Sequence, residues 1–313
     1  MITYRKDNNR QEYLGASEAP ALLGLSTWAT PFDVWAKKTL PPEESTSNSA
    51  TRRGHILEGA IFDWGAAEVS ADWSERGGNF HSRPVQGPRP WAAFHPDGWL
   101  KNEAGDEFVV EVKTARDGDG WEDDGIPAVY AAQVRYQLAC CPDNIVGAYV
   151  FAYITFKDEF LWRYVARDPA QEQAMLDFCG AWWERHVTAN VPPAFDGSDG
   201  ASRYLLDKHP KERTPLDEAD ENESALVSGL MTMKADAKAL EDHIKVCEQE
   251  LKALIGDREG VFIPEVGKAT WKYQKGRAGF DAKRLAKDQP EIHTQYVTQG
   301  AEQRVLRLPR SKK

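Results

Sequence analysis

Two short stretches carry residues that could do chemistry together: His95-Pro96-Asp97-Gly98 and Val109-Val110-Glu111-Val112-Lys113-Thr114, with Glu111 fourteen residues beyond Asp97. Hydrolysis of a phosphodiester needs a hard divalent cation, oxygen ligands to hold it, and a group that positions or activates the attacking water. Asp97 stands at a Pro/Gly turn from which its carboxylate can project into a cleft. Glu111 and Lys113 are two apart, so on a strand they share one face, while Val110 and Val112 point the other way into a core. One strand then offers a metal-ligating carboxylate beside an ammonium, and the Val112 backbone carbonyl at the same edge is a further candidate ligand. Other readings of these residues are open at this point. Pro-Asp-Gly is a common β-turn, and Glu-x-Lys is a common solvated strand face. Paired carboxylates also serve glycoside hydrolysis, although a Lys beside the Glu suits phosphate better than sugar.

The elements that must position these residues alternate between helix and strand. Ser17 is a candidate cap for a helix over Ala19 to Leu23, stopped by Gly24. Thr30-Pro31-Phe32-Asp33 has the cap, the Pro at the first position and the acid three residues on that open a second helix. Thr51 to Val69 form a third, with Leu57, Ile61 and Trp64 at helical spacing. Strand patterns follow at Trp91 to Phe94, Trp99-Leu100 and Phe108 to Val112. Pro127 to Cys141 is helical, Ile145 to Thr155 and Phe160 to Val165 read as a hairpin turned at Lys157-Asp158, and Pro169 to Thr188 is helical again. The order predicts an α/β domain over 1–190 with a central mixed β-sheet flanked by helices. A Pro/Gly/Asp-rich connector is expected over 191–215. A third region, 216–313, opens with Leu226, Leu230, Met233, Ala237, Leu240, Ile244, Cys247, Leu251 and Leu254, whose alternating spacings of four and three form a coiled-coil seam. That seam can dimerise, fold back or lie along the main domain. A small hairpin over Val261 to Tyr273, a short helix over Asp281 to Lys287 and a basic end complete the chain.

The composition sets limits. The net charge is −10, from 39 Lys and Arg against 49 Asp and Glu. Val266 to Lys313 nevertheless holds 12 Lys and Arg against 4 Asp and Glu, a local +8, which leaves −18 for the remainder. Clustered acid fits a metal-binding cleft, and a basic end offers phosphates a landing surface, or is simply a solvated extension. Cys140, Cys141, Cys179 and Cys247 form no CxxC pair or Cys/His cluster, so reduced thiols are expected rather than a zinc or iron–sulfur site. No run approaches a membrane span and the first residues show no secretory pattern, which predicts a cytoplasmic protein without a membrane partner.

Five blocks in order extend the argument. They are Gly15-Ala16-Ser17-Glu18-Ala19-Pro20-Ala21-Leu22-Leu23-Gly24, Arg53-Gly54-His55-Ile56-Leu57-Glu58, Pro96-Asp97-Gly98, Glu111-Val112-Lys113-Thr114, and Tyr130-Ala131-Ala132-Gln133-Val134-Arg135-Tyr136-Gln137. Through them the chain resembles the YqaJ-type viral recombinases, a phage lambda exonuclease-like family within the PD-(D/E)xK nuclease superfamily, over roughly Arg10 to Val165. The resemblance implies a restriction-endonuclease-like core. It implies Asp97 and Glu111 as principal metal ligands, Lys113 as the group that orients water and stabilises phosphate charge, Glu58 as an acid assisting a second metal, and Gln133 as a hydrogen-bonding residue near the site. It implies that Arg10 and Ser17 grip a 5′-phosphate, a pairing that suits a guanidinium beside helix N–H groups, with Arg53 and Arg135 as further DNA contacts. Trp28, Trp35 and Trp99 are candidates for stacking on unpaired bases.

The implied cofactor is one or two Mg²⁺ ions per site, with Mn²⁺ substituting. The implied partners are double-stranded DNA ends and a single-strand annealing protein, in a phage- or prophage-encoded system within a bacterial host, with a ring trimer as the implied oligomer. The cysteine cluster of iron–sulfur relatives is missing, and Leu226 to Lys313 lies beyond the shared core, which puts a simple copy of that ring in question. The function expected is exonucleolytic resection of linear duplex from a 5′ end. The alternatives are an endonuclease on branched or nicked DNA, and a non-catalytic DNA-binding scaffold, against which the complete Asp97, Glu111 and Lys113 set argues.

Overall fold

The computed structural model describes residues 3–5, 8–42, 49–78, 83–209, 216–298 and 304–309. They form two units, Met1–Pro210 and Lys211–Lys313.

The first unit opens with the short helix α1 (Ala19–Leu22), then α2 (Pro31–Thr39) and the long α3 (Ser49–Val69). Strand β1 (Trp73–Gly78), the two-residue pair β2 (Val85–Gln86) and β3 (Ala93–Phe94), β4 (Gly98–Asn102) and β5 (Glu107–Ala115) follow. Helix α4 (Ala128–Cys140) leads to β6 (Ile145–Ile154), β7 (Glu159–Ala166), α5 (Pro169–Trp183), which continues as a π turn over Glu184–Thr188, and α6 (Asp199–Lys208). Among the described residues the main sheet has five strands in the order β1-β4-β5-β6-β7. Only β5 and β6 pair parallel, across α4, so the sheet is mixed. The expected α/β class and the hairpin turning near Lys157-Asp158 are both present, with Asp158 at φ 51° in the turn.

Strand alternation decides what the sheet buries. Val110 and Val112 join Phe62, Ile61 and Ala66 of α3 and Phe151 of β6 in a core on one face. Val109, with Val134, Tyr136 and Leu138 of α4, belongs to the core on the other face. Two glycines permit close contact with α3. An added Cβ at Gly98 would lie 2.1 Å from the Phe62 ring, and one at Gly65 would lie 2.4 Å from the Phe151 ring.

The Thr30 cap forms as expected. Its hydroxyl accepts from the Asp33 N–H at 3.2 Å and the Asp33 carboxylate accepts from the Thr30 N–H at 3.0 Å. Ser17 does not cap α1, which is a correction. Glu18 occupies the cap position without a side-chain cap bond, because its carboxylate is held by the Lys38 ammonium at 2.7 and 2.8 Å and the Gly15 N–H at 2.8 Å. The boundary of the first unit also moves. Residues 191–209 are not only a connector, since they contain α6, capped by Ser198. Gly200 N–H donates to Asp33 at 2.8 Å and Tyr204 packs edge-on against Trp35 at 5.1 Å, which ties α6 to α2. Strand β1 was not expected either. Its sequence WSERGG has no apolar alternation, and it forms as an edge strand on β4.

The second unit consists of α7 (Glu221–Ile255), the hairpin β8 (Gly260–Ile263) and β9 (Gly267–Thr270), and the short helices α8 (Ala282–Asp288) and α9 (Pro290–Tyr296). An Asp220–Glu223 capping box starts α7, and Gly256 at φ 58° stops it. The cysteines are free thiols, buried at 140, 141 and 179 and exposed at 247. No helix among the described residues is long and apolar enough to cross a membrane.

Candidate active site

At the junction of β4, β5 and α3 an open cleft of about 190 Å³ is lined by Asp97, Glu111, Val112, Lys113 and Thr114 from the sheet and by Thr51, Gly54, His55 and Glu58 from α3. The helical contributors fall at i, i+3, i+4 and i+7, one face of the helix. Asp97 is locked to β5 twice, by its N–H to the Val110 carbonyl at 3.1 Å and by its Oδ2 accepting from the Val112 N–H at 2.7 Å. The Pro-Asp-Gly turn therefore delivers its carboxylate to the strand carrying Glu111.

Glu111 is 3% exposed, which a solvated strand face would not produce. Its Oε1 accepts from the Lys113 ammonium at 2.5 Å and from Gln133 Nε2 at 2.6 Å, while Oε2 accepts from Gln137 Nε2. Gln133 Oε1 in turn accepts from Lys113 at 3.1 Å. Helix α4 thus supplies two amides one turn apart that hold one carboxylate. The Lys113 ammonium also sits 5.0 Å from the centre of the Tyr130 ring.

The charges in the cleft are coupled. Burial, then the neighbouring Glu111 carboxylate, pushes the Asp97 carboxyl well above the usual range; Lys113 and the Val112 N–H pull it partly back, and Glu58 adds to the rise. Burial alone would lower the Lys113 ammonium, but Glu111 and Asp97 outweigh that and the net shift is upward. Lys113 is therefore a cation at neutral pH, a donor rather than a base. Glu58, 13% exposed in its side chain, lies 3.6 Å from His55 Nδ1. A hard carboxylate whose charge is opposed by burial and by the neighbouring Glu111 suits a divalent cation, whose charge would offset the repulsion. Among the described residues no three His, Cys, Asp or Glu side chains are already drawn into one ligand cluster.

The remaining candidates stand elsewhere. Arg10 and Ser17 are exposed and flank the Glu18–Lys38 ion pair, with the Arg10 carbonyl accepting from Lys38 at 2.7 Å and its guanidinium 5.8 Å from the Tyr13 ring centre. Arg53 is exposed on α3. Arg135 is engaged structurally, donating to the Ala166 carbonyl at 3.0 Å and pairing with the buried Glu172, which Arg167 also holds. None of these four lines the cleft. Of the three tryptophans, Trp35 is buried in a small core with Phe32 and Leu40, Trp99 is partly buried against the main core, and Trp28 is 72% exposed.

Gln137, at the end of the fifth sequence block, also belongs to the site. It is fully buried, its Oε1 has no hydrogen-bond partner among the described residues, and its Nε2 donates to Glu111. Gln137→Leu is expected to cost about 1–3 kcal/mol for the abandoned carboxylate oxygen. It should also lower activity roughly 10–100-fold by loosening Glu111. Thermal unfolding and digestion rates measured on the same preparation check both numbers.

Residues 7–143 match the family model described as the YqaJ-like viral recombinase domain. That stretch contains every residue lining the cleft, together with Gln133 and Gln137. The chain is 28% identical over 291 residues to the uncharacterized protein YqaJ of Bacillus subtilis (strain 168), covering 91% of this chain and 87% of that one. Among solved structures, an alkaline exonuclease (LHK-Exo) from Laribacter hongkongensis superposes with a TM-score of 0.43 at 16% identity, over 57% of this chain and 90% of that one. A phage related exonuclease from Haemophilus somnus 129PT gives a TM-score of 0.38 at 10% identity, over 57% and 96%.

Proposed function

We propose that this chain, whose residues 7–143 match the YqaJ-like viral recombinase domain, is a metal-dependent DNA nuclease that resects linear duplex from a 5′ end. The observation that carries the reading is the single cleft in which Asp97, Glu111 and the cationic Lys113 meet. Asp97 and Glu111, with the Val112 carbonyl at the same strand edge, would hold Mg²⁺ or Mn²⁺, and Glu58 would assist a second ion. A bound cation of this kind supplies Lewis acidity toward a phosphoryl oxygen and makes a bound water more acidic.

The chain's own groups do the rest. Lys113 donates from its ammonium to the attacking water or to the phosphate oxygen on which charge builds. Gln133 bonds to both Glu111 and Lys113, so it keeps the acceptor and the donor at a set separation. Glu111, held by two amides, cannot rotate away from the cleft. Arg10 and Ser17 would take the 5′-phosphate, and Arg53 would meet the DNA backbone; Arg135, already committed to Glu172, is the weakest of the four for that task. The single strand left by resection is what a single-strand annealing protein would receive.

The reading is tested with linear duplex labelled at 5′ or 3′ ends, with Mg²⁺ or with a chelator, beside a closed circle. The expected result is release of nucleotides from the 5′ ends of linear DNA with Mg²⁺ alone. Cutting of the circle would move the function to an endonuclease using the same cleft.

A further inference from the structure

Helix α7 is 35 residues long, and among its residues Ile255 alone is buried. Its apolar seam runs through four heptads, from Leu226 to Leu254. Leu226, Met233, Leu240, Ile244 and Leu254 are each at least half exposed, so neither the β8–β9 hairpin nor α8 and α9 cover them. The outer face, by contrast, is complete in itself: Lys238 and Lys245 both bond Asp242 at 3.1 Å. A helix with one finished face and one bare apolar stripe of this length gains its stability from a partner helix.

We propose that the partner is α7 of a second copy of this chain, running antiparallel, in the register that sets Ala237 against the partner's Leu240. Side-chain volume favours this register. It places Leu230 against the partner's Cys247 and Met233 against the partner's Ile244, so each small seam residue meets a large one. A parallel, in-register pair would stack Ala237 on Ala237 and Cys247 on Cys247, leaving two thin layers.

The charges flanking the seam select the same arrangement. In the antiparallel register Lys234 meets the partner's Glu241 and Asp236 meets the partner's His243, each twice by the twofold axis. A parallel pair would set Asp236 against the partner's Glu241. Sliding the antiparallel pair by one heptad brings Glu241 against the partner's Glu241 in one direction and Asp236 against the partner's Asp236 in the other. A stripe whose charges and volumes complement themselves under one twofold points to a second copy rather than to an unrelated helix. The rod so formed is roughly 50 Å long.

The test uses the full-length chain and does not depend on nuclease activity. Sedimentation at micromolar concentration should give a dimer, and Leu240→Lys a monomer whose first unit is still folded. Glu241→Lys, a surface change, should raise the dimer dissociation constant about tenfold by facing Lys234 with Lys, and Lys234→Glu with Glu241→Lys should restore it. Under mild oxidation Leu230→Cys should cross-link to the partner's Cys247 while the wild type does not. A monomeric or trimeric wild type, an assembly that survives Leu240→Lys, or a wild-type Cys247 disulfide would each overturn the proposal.

Discussion

Lys113→Met should digest linear duplex about 10²–10³-fold more slowly than wild type, and yet bind Mn²⁺ at least as tightly. The two halves of this expectation come from one geometry. The ammonium lies 2.5 Å from Glu111 Oε1 and beside Asp97, and its charge is secured by both carboxylates. Removing it takes a positive charge away from the place where a divalent cation would sit, which favours the ion. It also takes away the donor proposed to face the reacting phosphate, which would cost rate. Initial rates and Mn²⁺ titrations on the same protein separate the effects. Equal losses of rate and metal affinity would make Lys113 a scaffold for Glu111, and an unchanged rate would remove it from the chemistry.

Glu18→Ala should lower the stability of the first unit by about 3–5 kcal/mol. The side chain of Lys38 is fully buried, and its ammonium is satisfied by both Glu18 oxygens and the Arg10 carbonyl. Burial lowers the Lys38 pKa and Glu18 pulls it back up, so loss of Glu18 leaves a buried cation without its counter-charge. The pairing of Glu18→Met with Lys38→Met should recover most of the loss, because two apolar side chains of similar volume replace the pair without stranding a charge. Urea unfolding of both variants decides the matter. Wild-type stability in Glu18→Ala would contradict the account of this corner. The same corner carries Arg10 and Ser17, so a change in 5′-end preference there is meaningful only in variants that leave Glu18 and Lys38 intact.

The placement of Glu111 beside Lys113 was legible in the sequence because strand alternation is strict. Once Val109 to Thr114 is read as a strand, Glu111 and Lys113 must share a face and Val110 and Val112 must oppose it. Asp97 followed from its turn. Gln137 escaped because its role depends on how α4 lies over β5, and nothing in a helical amide reveals which strand it will meet; four residues after Gln133, it shares that face, which is the signal that could have found it. Ser17 as a cap failed for a related reason. The competing ion pair depends on Lys38, twenty residues away from Glu18, and local capping rules do not see it. Helix α6 was hidden by the Pro- and Gly-rich composition around it, although Ser198 and Asp199 are a cap and a first-turn acid. Strand β1 is polar because one edge of a sheet can be, so alternation gave no sign of it. The heptad of α7 was plain, whereas its partner is a matter of volumes and charges between helices, which periodicity alone does not address.

The cleft of Asp97, Glu111 and Lys113 is proposed here as a metal-dependent phosphodiester site. Its most direct test is the initial rate of nucleotide release from linear duplex as Mg²⁺ is raised from zero, for the wild type and for Asp97→Ala confirmed as folded. The expected wild-type rate is nil without the ion and saturates with it, and the expected Asp97→Ala rate stays at background throughout. A wild-type rate indifferent to a chelator, or an Asp97→Ala protein that digests DNA like the wild type, would contradict it.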